Sequence, residues 1–228
     1  MNYEIQTTAA IAALLLASCA TKFTPAQRDA LSTVAISKGT SAPDACKDPY
    51  GGDVAMRDSS ANIPGAGVLG PIVGLAVGGA IAGTQNNMFV GKNQGYFAAV
   101  RKNTPNNLGE MMTAKLKSAF KGDSFFGPRL KDRSPNIVSS QITAARLVRI
   151  AKNPSGELLM AAEIYATLAL KDNTGKDIAG GRSYIGRGIS AATVAEYAAS
   201  PQKLRKTYDD ALQNAIVQFT SELAAKTR

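Results

Sequence analysis

The sequence predicts an α+β fold: a small antiparallel sheet, a three-strand meander plus one N-terminal strand, packed by two amphipathic helices and interrupted by a glycine-zipper helical insertion. Three observations carry this. Apolar residues alternate along 142–150 and again along 158–170, the period of a strand with one buried face. Turn-forming clusters, Asn153-Pro154-Ser155-Gly156 and Lys171-Asp172-Asn173-Thr174-Gly175-Lys176, separate these runs as hairpin loops would. Apolar residues then recur at helical spacing from Leu204 to Leu223.

The first 18 residues stand apart. Ala9–Ala17 is an apolar stretch too short to span a membrane and ends in Leu16-Ala17-Ser18-Cys19. The n-region before it holds Glu4 and no Lys or Arg. Removing residues 1–18 from the 228 leaves 210, enough for one domain with a sizeable core, and raises the formal charge from +9 to +10 because only Glu4 is lost. The remaining boundaries fall at 19–62 for the N-terminal strand and loop, 63–102 for the insertion and 103–228 for the α+β domain.

Thr24-Pro25-Ala26-Gln27 reads as a helix start, with proline at the first helical position and Gln where a capping box needs it. Thr33–Ile36 is a candidate first strand, and Ser37–Asn62, rich in Gly, Pro, Ser and Asp, reads as loop. No charge occurs from Ser59 to Gly91, and Ala66, Gly70, Gly74, Gly78 and Ala82 recur every fourth residue. On a helix they form one groove in which a second backbone can approach closely. Pro71 confines a regular helix to about Gly70–Thr84, roughly 22 Å and shorter than a bilayer core. Three readings stay open: a helix packed within or between protomers, an oligomeric zipper in the membrane, or a flexible loop.

Tyr96–Val100 makes a short helical patch that stops before Thr104-Pro105. Asn106 or Asn107 can cap the next helix, in which Leu108, Met111, Met112, Leu116, Ala119 and Phe120 share a face that Gly122 ends. The methionines are core filler on this reading, and Phe125-Phe126-Gly127-Pro128 tucks against the core. After the two alternating strands, a third from about Ile178 to Ile189 carries Gly180, Gly181, Gly186 and Gly188, a sign of bulges or an edge position. Ser200 caps the closing helix, Pro201 takes its first position, and Leu204, Tyr208, Ala211, Leu212, Ala215, Ile216, Phe219 and Leu223 form its apolar stripe.

Chemical motifs are sparse. Histidine and tryptophan are absent, which removes the commonest general base and metal ligand together. Gly65-Ala66-Gly67-Val68-Leu69-Gly70 matches a dinucleotide fingerprint as a string, but no apolar strand leads into it and prolines flank it. Asp209-Asp210 point in different directions from a helix and read as a solvated face near Lys206. No Cys, Asp or Glu set has metal-ligand spacing, and no serine is singled out beside a lysine. These patterns point away from an enzyme and call for no cofactor and no metal. The basic balance implies anionic partners, with Arg129, Lys131 and Arg133 after the first main helix and Lys203, Arg205 and Lys206 opening the last as candidate contacts. Cys46, in a loop, is the second of two cysteines.

Leu16-Ala17-Ser18-Cys19 resembles the lipobox of bacterial lipoproteins, in which the cysteine is acylated and the leader removed just before it. The resemblance implies a mature chain beginning at Cys19, anchored by its lipid, facing the periplasm and away from nucleic acid. Ala20, where an Asp would favour inner-membrane retention, implies the outer membrane. The 66–82 repeat resembles the glycine zipper of several envelope lipoproteins. With the strand-turn pattern around Leu168–Gly175 and the closing helix, the layout resembles small α+β envelope lipoproteins of the lipopolysaccharide-assembly, ABC-transport auxiliary and curli-secretion types. That group implies a non-enzymatic assembly or scaffolding component that self-associates or meets an envelope partner. It also leaves open a secretion channel or pore component, and a binding module for anionic glycolipid or wall polymer.

Overall fold

The computed structural model describes residues 22–41 and 92–227. Cys19, Cys46, the leader and the zipper positions Ala66, Gly70, Gly74, Gly78 and Ala82 lie outside the described residues. Helix α1 (Pro25–Ala30) opens the described chain, followed by the short strands β1 (Ala35–Ile36) and β2 (Thr40–Ser41). Helix α2 (92–103) and helix α3 (Leu108–Gly122) come next. Strands β3 (Ile137–Lys152), β4 (Leu158–Lys171) and β5 (Asp177–Arg187) follow, then helices α4 (Val194–Ala199) and α5 (Pro201–Thr227).

These elements form a mixed α+β structure around an open five-stranded sheet. Strands β3, β4 and β5 pair in succession, each antiparallel to the one before. The sheet is not wholly antiparallel, contrary to the sequence reading. Both β1 and β2 run parallel to β3, pairing Ala35 with Ile137 and Thr40 with Gln141. The second of these short strands lies where composition had indicated loop. Two glycines explain how it gets there: a Cβ on Gly39 would meet the Gly109 carbonyl, and one on Gly109 would meet that of Gly39. The chain therefore crosses the first turn of α3 at backbone contact, and Thr113 Oγ1 accepts the Gly39 N–H at 2.7 Å.

The core lies between the sheet and the pair α3–α5. Leu108, Met111, Met112, Leu116 and Phe120 of α3 are buried, as are all eight residues of the α5 stripe. Phe120 stacks 6.4 Å from Phe219 and 5.0 Å from Phe126, which fixes both helices on the same face of the sheet. Asn107 occupies the N-cap of α3 but its side chain makes no capping bond. Thr24 and Gln27 do form the reciprocal capping box at α1. Ser200 Oγ accepts the Lys203 N–H at the start of α5, directly after α4, a six-residue helix in a stretch to which the sequence reading assigned no element.

The glycines of β5, with Gly188 just past its end, serve two purposes. Gly180 and Gly181 adopt φ of +72° and +70°, and the pairing jumps from Arg182–Leu168 to Gly180–Ala169, so Gly181 is the extra residue of a bulge. Gly186 lies under α5, where a Cβ would enter the Ala211 carbonyl. Gly188 is pressed against Thr207 in the same way, and Thr207 Oγ1 accepts the Ala162 N–H from β4 at 2.9 Å. The free edge of β5 is covered by the same helix: Asn214 donates to the Arg187 carbonyl and Gln218 to that of Ile185. This occupies acceptors that a foreign strand would otherwise use.

Candidate functional site

Successive residues of a strand face opposite sides, so the face of β4 turned away from α3 and α5 carries Glu163, Tyr165 and Thr167. Register aligns these with neighbours on both strands. Arg146, Glu163 and Arg187 form one row across β3, β4 and β5, Ala144, Tyr165 and Ile185 the next, and Gln141, Thr167 and Ser183 a third.

The first row is a charge cluster. Glu163 Oε1 accepts from Arg146 Nε at 3.1 Å and Nη2 at 2.8 Å, and its Oε2 accepts from Arg187 Nε at 3.0 Å and Nη2 at 2.5 Å. Arg146 Nη2 also donates to the Tyr165 hydroxyl, which in turn donates to Glu163 Oε1. The Arg146 guanidinium lies 5.1 Å from the centre of the Tyr165 ring. The Glu163 side chain is 4% exposed, against 23% for Arg146 and 47% for Arg187. Burial by itself would push the Glu163 carboxyl up. The hydrogen bonds and charges of the two arginines outweigh that and hold it below the ordinary carboxylate value.

Chemically the cluster is a saturated acceptor with net charge +1. All the lone-pair directions of Glu163 are taken, and it stays ionised through neutral pH, so it is poorly suited to proton transfer. What the row offers outward is the half-exposed Arg187, next to the exposed Ile185 of the following row, with Gln141 and Ser183 exposed one row further on.

Other carboxylates join elements. Glu222 of α5 accepts from Tyr184 at 2.7 Å, from Arg182 at 2.8 Å and from the Gly180 N–H of the bulge. Burial, reinforced by the bond to Glu222, pushes the Tyr184 hydroxyl up to about 12. Asp210 accepts from the Ser190 hydroxyl and N–H and pairs with Lys206 at 3.2 Å. Asp209 pairs with Lys115 of α3 at 2.9 Å. The pairing of Asp210 with Lys206 and the 47% exposure of the Asp209 side chain fit the partly solvated face expected near Lys206, and the bonds to Ser190 and Lys115 tie that face to neighbouring elements.

The six basic candidates separate into two groups. Lys203, Arg205 and Lys206 sit at the first turns of α5, with Lys203 bound to Glu196 at 2.6 Å and Lys206 to Asp210. Arg129, Lys131 and Arg133 lie at the opposite end of the domain, beside the turn after α1 that Val34 joins to Arg129 and Lys131. Arg129 covers the Phe125 ring at 4.0 Å and donates to the Phe125 carbonyl. Lys131, Arg133 and Arg205 are exposed.

Neither the Arg146–Glu163–Arg187 row nor Tyr165 was a sequence candidate. A signal was present: Glu163 is the sole charged residue between Leu158 and Leu170. A charge inside a continuous apolar strand requires partners on adjacent strands. Among the described residues no three Cys, Asp or Glu side chains gather as a metal site would require, and no described helix is long and apolar enough to cross a membrane. Comparison with family models finds no match, and neither the curated proteins nor the solved structures give a significant one.

Proposed function

We propose that this chain is a non-enzymatic, lipid-anchored protein of the bacterial outer membrane that acts as an assembly or scaffolding component of an envelope complex. The observation that carries the proposal is Leu16-Ala17-Ser18-Cys19 closing a short apolar leader. The placement of the domain is compatible with such processing. Among the described residues Phe23 is the first that is buried, and cleavage before Cys19 leaves every described core side chain in place. Glu163, Glu222 and Asp210 also suit this reading, because each is committed to joining elements of the fold. The glycine zipper supplies a second contact, through which copies of the chain associate or a membrane partner docks.

Cys19→Ser tests the anchor. The variant is expected to lose incorporation of labelled palmitate, retain its leader and leave the outer-membrane fraction; unchanged fractionation and labelling would reject the proposal. Gly74→Ile tests the zipper, since a β-branched side chain fills the groove. In mild detergent, light scattering should show a discrete wild-type oligomer that the variant reduces to monomer. A wild-type monomer would assign the zipper to internal packing.

The Arg146–Glu163–Arg187 row favours a second reading, a binding module for anionic glycolipid or wall polymer. What supports it is a half-exposed guanidinium on the same sheet face as the Tyr165 hydroxyl, with Gln141, Thr167 and Ser183 two rows along.

A further inference from the structure

Resting on the lipid-anchor reading, we infer that the end of the domain built from Phe23, α1, the 129–133 loop and the C-terminus of α5 is a docking surface for the anionic headgroups of the membrane that holds the lipid. The tether sets the geometry. Lys22 lies three residues after Cys19, about 10 Å of chain at full extension. The chain is then fixed at once: the Phe23 N–H donates to the Lys226 carbonyl at 2.9 Å and Arg28 Nη2 to the Thr227 carbonyl at 2.7 Å. Phe23 is 5% exposed, so this attachment is part of the core.

The same end gathers the turn after α1 and the 129–136 segment. Asn136 Nδ2 donates to the carbonyls of Ala30 and Thr33, at 2.8 and 2.9 Å, and backbone bonds join Val34 to Arg129 and Lys131. An acylated Cys19 thus leaves this end within about 10 Å of the headgroups and no freedom to present another.

Charge agrees with the geometry. Lys22, Arg28, Arg129, Lys131, Arg133 and Lys226 outnumber Asp29, Asp132 and Glu222 in these segments, six bases against three acids, a net +3. The adjoining β4–β5 hairpin is neutral, with Lys171 and Lys176 balanced by Asp172 and Asp177. Each base near an anionic surface contributes about 1 kcal/mol, screened by salt. The second basic group, Lys203–Lys206, lies about 35 Å away along α5 at 1.5 Å per residue and faces away from the bilayer. Only one of the two sequence-derived basic groups therefore meets lipid.

The experiment uses the mature lipidated protein, with Cys46→Ser and a single fluorophore at Arg133→Cys or Gln202→Cys, in vesicles of phosphatidylethanolamine and phosphatidylglycerol carrying acceptor-labelled headgroups. Energy transfer at position 133 should exceed that at 202 several-fold. Lys131→Glu combined with Arg28→Glu should lower transfer at 133, and high salt should lower it likewise. Flotation with the vesicles but equal transfer at both positions would overturn the orientation and leave the anchor standing. Failure to float would overturn the anchor itself, and the orientation with it.

Discussion

Gly186→Ala should destabilise the domain by about 3 kcal/mol, at the upper end of what overpacking costs. In isolation the substitution favours folding, because glycine inside a strand loses more backbone freedom than alanine, by roughly 0.5–1 kcal/mol. Contact decides against it. The added carbon would enter the Ala211 carbonyl and approach the Ala215 backbone N, atoms of a helix that cannot rotate aside as a side-chain end would. Relief requires α5 to lift from β5. That would strain the Tyr184–Phe219 contact at 5.5 Å and the bonds by which Asn214 and Gln218 cover the strand edge. Urea midpoints measure the loss, with Gly95→Ala as the control. Gly95 has nothing within 4 Å of its would-be Cβ and lies in α2, so that change should stabilise by up to about 1 kcal/mol. A Gly186→Ala protein as stable as wild type would mean that α5 does not seat on β5 at this distance.

Local periodicity carried the two long strands and the α5 stripe, because each places one residue type on one face for many residues. The Thr24–Gln27 capping box and the Gly180–Gly181 bulge were legible for a related reason: a few adjacent residues suffice to make them. The parallel pairing of β1 and β2 was not legible. It depends on contacts between residues about a hundred positions apart, and the only local trace of β2 is Gly39, whose role appears once Gly109 is opposite it. The charge row failed to emerge in the same way. Arg146, Glu163 and Arg187 come from three strands, and only register brings them together. Of the basic residues, sequence reports the number and leaves out the partners; Lys203, Lys206 and Arg129 each have one inside the domain.

Glu163→Gln should cost about 3 kcal/mol near neutral pH, the scale for removing one partner of a buried ion pair. The amide keeps the shape but leaves two guanidiniums facing it without a counter-charge, and Arg146, the more enclosed, has the least water to turn to. The loss should depend on pH in a defined sense. Folding lowers the pKa of Glu163, so its contribution is fully present above the ordinary carboxylate value and is lost as pH falls through the lower folded value. Wild type and variant should therefore differ most near neutrality and converge in acid, as urea midpoints across that range would report. Equal stability at every pH would show that Glu163 is not ionised between the arginines. Arg146→Ala should cost more than Arg187→Ala, since Arg146 also holds the Tyr165 hydroxyl while Arg187 is half exposed. Replacing all three charges at once, with Met, Leu and Met, should be close to neutral, because well-packed apolar residues match a buried ion cluster in net stability. That triple variant separates the two uses of the row. If it folds as well as wild type and wild type alone retains an anionic glycolipid, the charges are there for the ligand, and stability gives no reason to keep them.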